Sequence, residues 1–97
     1  SITTAVNAYA DSYNEAYCAG ARARVAESHQ RNGNPGLENT FMGLAQNSAN
    51  KAGGMAVIRS NPQLKQSFSN GYIDVDNWST QPKGGDKIWN VTMEQCK

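Results

Sequence analysis

Histidine occurs once in this chain, cysteine twice and proline three times. One histidine and two distant cysteines offer no zinc-ligand spacing, and they leave few members for a nucleophile–base pair. Charge of one sign is missing as well. Nine Lys and Arg against eight Asp and Glu leave a net charge of +1, without the basic stripe that nucleic-acid binding needs. No apolar run approaches the roughly 20 residues of a membrane span. Leu and Ile are scarce, whereas Asn, Gln and Ser are abundant, so the expected surface is neutral and hydrogen-bonding. No metal, cofactor, nucleic-acid partner or membrane insertion is expected.

Ninety-seven residues make one domain, residues 1–97. The chain begins at Ser1 rather than methionine and shows no apolar leader. The expectation is a mature extracytoplasmic form from which a signal peptide has been removed. Cys18 lies in an alanine-rich stretch and Cys96 is the penultimate residue. The alternative to a disulfide is two free buried thiols. The placement favours the bond, because Cys96 would tie down an end that otherwise frays. Closing so long a loop stabilises a domain by roughly 4 kcal/mol in the chain-entropy account.

The expected fold is mainly all-α, a small bundle around a long central N-terminal helix stapled by one disulfide. Residues 2–31 read as that helix, free of proline and rich in alanine. Ile2, Ala5, Tyr9, Ala16 and Gly20 share one face, Cys18 and Val25 lie nearly opposite, and Ala8, Ala19 and Ala26 fill a third side. A helix with small apolar residues most of the way round sits among neighbours on several sides, and Gly20 invites a close one. Arg24, Glu27 and Arg31 read as a solvated ladder. Asn32-Gly33-Asn34-Pro35-Gly36 breaks the chain, with Asn34 as cap and Pro35 at the first position of a second helix. That helix carries Leu37, Phe41, Leu44 and Ala45 to about residue 50. Gly53-Gly54 allows a restart, followed by Met55, Val57 and Ile58. Asn61-Pro62 repeats the cap-and-proline signature before Leu64 and Phe68.

Beyond Gly71 two readings stand. Tyr72, Val75 and Trp78 continue a helical face, and Asp86 would cap a last helix bearing Ile88, Val91 and Gln95. Tyr72–Asp76 and Trp89–Met93 also alternate like strands, so an α+β fold with a C-terminal β-hairpin is the alternative. Ser79 to Gly85 reads as a loop, with Trp78 and Trp89 anchoring it onto the core.

Catalytic residues are not expected. His29, Glu27 and Ser28 are sequence neighbours on a helix and point apart. Asp11 and Glu15 share a face with nothing apolar to raise one of them. Asp74, Asp76 and Asn77 lack the glycine turn and closing glutamate of a calcium loop. Tyr9, Tyr13 and Tyr17 stand at i, i+4 and i+8. They suit either core packing or a dimer face. The polar loop offers Gln81, Lys83, Asp86 and Lys87 for partner binding, since recognition tends to live on loops held by a rigid scaffold.

The start Ser1-Ile2-Thr3-Thr4, Cys18 within Tyr17-Cys18-Ala19-Gly20, and the closing Glu94-Gln95-Cys96-Lys97 resemble the periplasmic immunity proteins of type VI secretion systems. The similarity is to those that neutralise VgrG-linked, lysozyme-like peptidoglycan hydrolases, and it covers most of the chain in layout. The resemblance implies a non-catalytic periplasmic protein that occludes the active-site cleft of its cognate cell-wall hydrolase effector. Such proteins are often homodimers. A small periplasmic helical chaperone or stress protein is the competing expectation.

Overall fold

A computed structural model describes the backbone of residues 2–97 and the side chains of residues 10–97. Five α-helices follow one another: α1 (Ile2–Arg31), α2 (Pro35–Lys51), α3 (Met55–Ser60), α4 (Pro62–Trp78) and α5 (Gly84–Trp89). A π-helical segment, Asn90–Gln95, continues α5 without a break. No strand occurs among the described residues, so the mainly all-α expectation holds and the β-hairpin alternative for the C-terminal third is corrected. The side chains of Tyr9, Ile2, Ala5 and Ala8, which the sequence places on faces of the first helix, lie outside the described residues.

The turns follow from local chemistry. After α1, Gly33 takes φ 72°, and Asn34 N–H reaches back to His29 O at 2.9 Å. After α2, Gly53 at φ 107° precedes Gly54 N–H on Ala49 O at 2.8 Å. Both are left-handed glycine caps that satisfy carbonyls otherwise orphaned at a helix end. Asn61 caps α4 as expected, its Oδ1 accepting from Gln63 and Leu64 N–H. Asn34 stands at the α2 cap position but makes no side-chain cap bond. Pro35 takes the first helical turn, where its missing N–H costs nothing.

α1 is central, with α2 on one side and α4 on the other. One core cluster joins Ala16 and Ala19 of α1 to Ala49, Ala52, Ile58 and Leu64. A second joins Cys18, Ala21 and Val25 to Val75, Val91 and Cys96. The α1–α4 crossing is very close. A Cβ on Gly20 would lie 1.9 Å from Phe68 O, and one on Gly71 would lie 2.0 Å from Tyr17 O. Two glycines facing across the crossing let the backbones touch, as the small-residue face of α1 implied.

The Cys18–Cys96 disulfide is formed, 78 residues apart in sequence, and both residues are buried. Arg24 departs from expectation. The solvated ladder predicted for it is wrong, because its side chain is 6% exposed and its Nε lies 2.9 Å from Asp76 Oδ1 on α4. Only Glu27 and Arg31 of that ladder make the exposed i, i+4 pair, at 3.1 Å. No helix among the described residues is long and apolar enough to cross a membrane.

Candidate functional site

The α4–α5 turn is shorter than the sequence suggests, because Gly84 and Gly85 already belong to α5. Asp86 is not the cap. Lys83 holds that position at φ 58°, and Asp86 sits in the first helical turn. The cap lies three residues earlier than residue type suggests. The start of α5 is fixed by packing, since a Cβ on Gly84 would lie 1.7 Å from Trp78 O. The turn is therefore braced against the end of α4. Gln81, Lys83, Asp86 and Lys87 are all exposed, and none of the four forms an ion pair among the described residues.

α5 has two dissimilar sides. Gly85, Ile88 and Trp89, spaced i, i+3 and i+4, line a cleft of about 310 Å³ together with His29 of α1 and Leu37 and Phe41 of α2. At roughly 100° per residue, Lys87 falls on the opposite side and Asp86 on a flank, about 60° from Trp89. Trp89 is 60% exposed and Leu37 is 50% exposed. Trp89 thus does not anchor the turn onto the core as predicted. Trp78 does, packing against the second core cluster. Val91 and Thr92 of this end are buried against the core.

His29 is half-buried against Phe41, with ring centroids 5.7 Å apart, and its Nδ1 is buried without a hydrogen-bond partner. A second cleft, about 370 Å³, opens between α1 and α2 over Ala23, Ala26, Ala45 and Ala49, with Met42 and Phe68 among its walls. No three His, Cys, Asp or Glu side chains among the described residues are grouped to hold a metal.

Tyr13 packs against the first core cluster and Tyr17 against the second. Tyr17 also donates its hydroxyl to Asp74 of α4. Burial, with help from Asp74, pushes the Tyr17 hydroxyl well above its ordinary 10.0. Both rings are used inside the chain. Asp74 and Asp76, which resemble a calcium loop on paper, serve Tyr17 and Arg24 instead.

Tyr72 of α4 donates to the Glu27 carboxylate. That hydrogen bond, with Arg31 and Arg24 nearby, holds the Glu27 carboxyl below its ordinary 4.5 even though burial opposes it. A carboxyl depressed in the folded state contributes stability that is fully present above its unfolded pKa and disappears as pH falls through the folded one. The stability difference between the protein and Tyr72→Phe is therefore expected to be constant near neutrality and to shrink below about pH 4.5. Urea titrations across this range check it, and a difference that widens in acid would contradict the assignment.

Sequence reasoning missed Arg22. It lies at i+4 from Cys18 and i−3 from Val25, on the buried face of α1, and is 6% exposed. Its Nε donates to Thr92 O at 3.1 Å and its Nη2 to Cys96 O at 2.6 Å. Its Nη1 donates to Ser48 Oγ at 2.9 Å. An α1 side chain thereby caps the C-terminal end of the last helical segment. Burial pushes the guanidinium below its ordinary 12.5, and the Glu15 carboxylate offsets part of that. The signal was available, since a charged residue between Cys18 and Val25 at helical spacing must find partners or leave the core.

No protein-family model matches the chain, and no curated protein or solved structure shows significant similarity to it.

Proposed function

We propose that this protein is a stoichiometric inhibitor of a secreted peptidoglycan-degrading effector, acting in the periplasm by occluding the enzyme's active-site cleft. The observation that supports this is the braced α4–α5 turn. It presents Gln81, Lys83, Asp86 and Lys87 on a braced backbone, exposed and without an ion pair among the described residues. Lysozyme-like clefts carry two catalytic carboxylates. An ammonium group on a braced turn is a fitting plug for such a cleft, because the backbone that carries it loses little conformational entropy on docking. A disulfide suits an oxidising compartment. Homodimerisation belongs to the same reading, though not through Tyr13 and Tyr17, which pack inside the chain.

The test is inhibition of a lysozyme-like peptidoglycan hydrolase by the oxidised protein, with binding followed by titration calorimetry. A one-to-one complex is expected. Changing Lys83 and Lys87 together to alanine is expected to weaken binding by a factor on the order of 100, as for truncating charges that meet opposite charges in a desolvated interface. The circular dichroism spectrum should not change. Full inhibition by that variant would refute the turn as the plug, and failure of the parent protein to bind would refute the function.

The two apolar clefts favour a second reading, a small periplasmic chaperone. Met42, Leu37 and Trp89 are each at least half exposed beside them, and Met-rich grooves re-pack around varied clients. Suppression of aggregation of several unrelated unfolded proteins would support it over the inhibitor reading.

A further inference from the structure

The winding of the last helical segment is set from outside it. Val91, Thr92 and Cys96 are all buried. In an α-helix, residues five apart diverge by roughly 140°, so Val91 and Cys96 could not both face α1. The π-winding closes its rings between residues five apart, with Cys96 N–H on Val91 O at 2.9 Å, and this stacks the cysteine over the valine. Thr92 supports the change by donating its hydroxyl to Ile88 O at 2.7 Å. A π-turn is a rare and less favourable winding than an α-turn. Asn90–Gln95 contains no proline or glycine that would demand it. The remaining constraint is tertiary: the sulfur–sulfur bond fixes one end and buried Val91 fixes the other.

We infer that the Cys18–Cys96 disulfide holds residues 90–96 in the π-register, and that its reduction releases this register together with the Trp89-bearing side of α5. A dithiol reductant supplies two electrons and two protons. The sulfur–sulfur bond becomes two thiols, and the reductant closes into its own disulfide. The rest of the fold persists, because the α1–α4 crossing rests on Gly20 and Gly71, and on Arg24 with Asp76 and Tyr17 with Asp74, none of which lies in the released segment. As regulation of the proposed contact surface, this inference rests on the inhibitor reading: Asp86 and Lys87 of that surface stand on α5, which the released segment directly continues.

Amide hydrogen exchange and the Trp89 indole N–H resonance are compared in the oxidised full chain, in the same chain with dithiothreitol, and in Cys18→Ser/Cys96→Ser. The amide at position 96 is expected to lose protection by tenfold or more, and the Trp89 signal to shift. Amides near Gly20 and Gly71 should keep their protection. Retained protection at position 96 would overturn the inference, since Arg22 alone would then hold the register. Loss of protection throughout the chain at once would overturn it equally. The double-serine chain, which needs no reductant, is then assayed against the hydrolase. Weaker inhibition than by the oxidised chain supports the regulatory link, and equal inhibition overturns it. If the oxidised chain itself does not inhibit, the functional reading fails and the exchange result still decides the register.

Discussion

Gly71→Ala is expected to destabilise the protein by about 3 kcal/mol and to lower its melting temperature by roughly 15 °C. Alanine is the better helix former by about 1 kcal/mol, so propensity alone predicts the opposite sign. Contact geometry decides against it. The new methyl would sit 2.0 Å from Tyr17 O and 2.9 Å from Ala21 N, both backbone atoms of α1. Backbone atoms cannot rotate aside as a side chain does, so α4 must move away from α1. That separation stretches the Tyr17–Asp74 and Arg24–Asp76 bonds as well. Gly43→Ala, mid-way along α2 with nothing within 4 Å of the new methyl, is the matched control and is expected to stabilise by about 0.5–1 kcal/mol. Thermal denaturation of the two variants checks both signs. A Gly71→Ala protein that melts with the parent would disprove the close crossing.

Arg22→Met carries the second large effect, a loss of about 4 kcal/mol measured by urea denaturation. Methionine fills much of the volume but donates nothing. Thr92 O, Cys96 O and Ser48 Oγ then lose a charged donor. Hydrogen bonds to charged groups contribute about 1.5–3 kcal/mol each, and a buried acceptor left unpaired costs about 1–3 kcal/mol. The sum is partly relieved because the segment end can open to water. Asp76→Ala is the contrast. Its carboxylate is 54% exposed, and the buried Arg24 guanidinium keeps Ser28 and Glu27 when Asp76 is lost, so the loss is expected to be smaller, about 1–2 kcal/mol. Equal losses from the two variants would refute the role given to Arg22.

The elements that could be read from the sequence are those whose physics is local. Proline and asparagine at 34–35 and 61–62 marked two helix starts, and glycines at 33 and 53–54 marked two helix ends, because caps and left-handed turns are decided within a few residues. The centrality of α1 was readable from its distribution of alanine, and Gly20 pointed to the close neighbour. The C-terminal third was ambiguous for a tertiary reason. Tyr72, Val75 and Trp78 keep a helical period while Ile73 and Val75 alternate with Asp74 and Asp76, and the packing of α4 on α1, with Gly71 against Tyr17, selects the helix. The π-winding was invisible, since it comes from a bond to a residue 78 positions away. The exposed charges of the candidate site were identified by their residue types, whereas their placement, Lys83 at the cap, Asp86 in the first turn and Lys87 across α5 from Trp89, depends on where that helix begins.

The sulfur bridge joins an early part of the chain to a late one, and α2 to α5 all lie inside the loop it closes. With two cysteines in this sequence, one intramolecular pairing exists and no scrambled isomer competes with it. As the chain emerges N-terminus first, Cys18 must wait as an unpaired thiol until a partner 78 positions later has followed. Oxidative maturation of this fold therefore calls for an electron acceptor at the right moment and, among the cysteines of this sequence, leaves a disulfide isomerase nothing to correct.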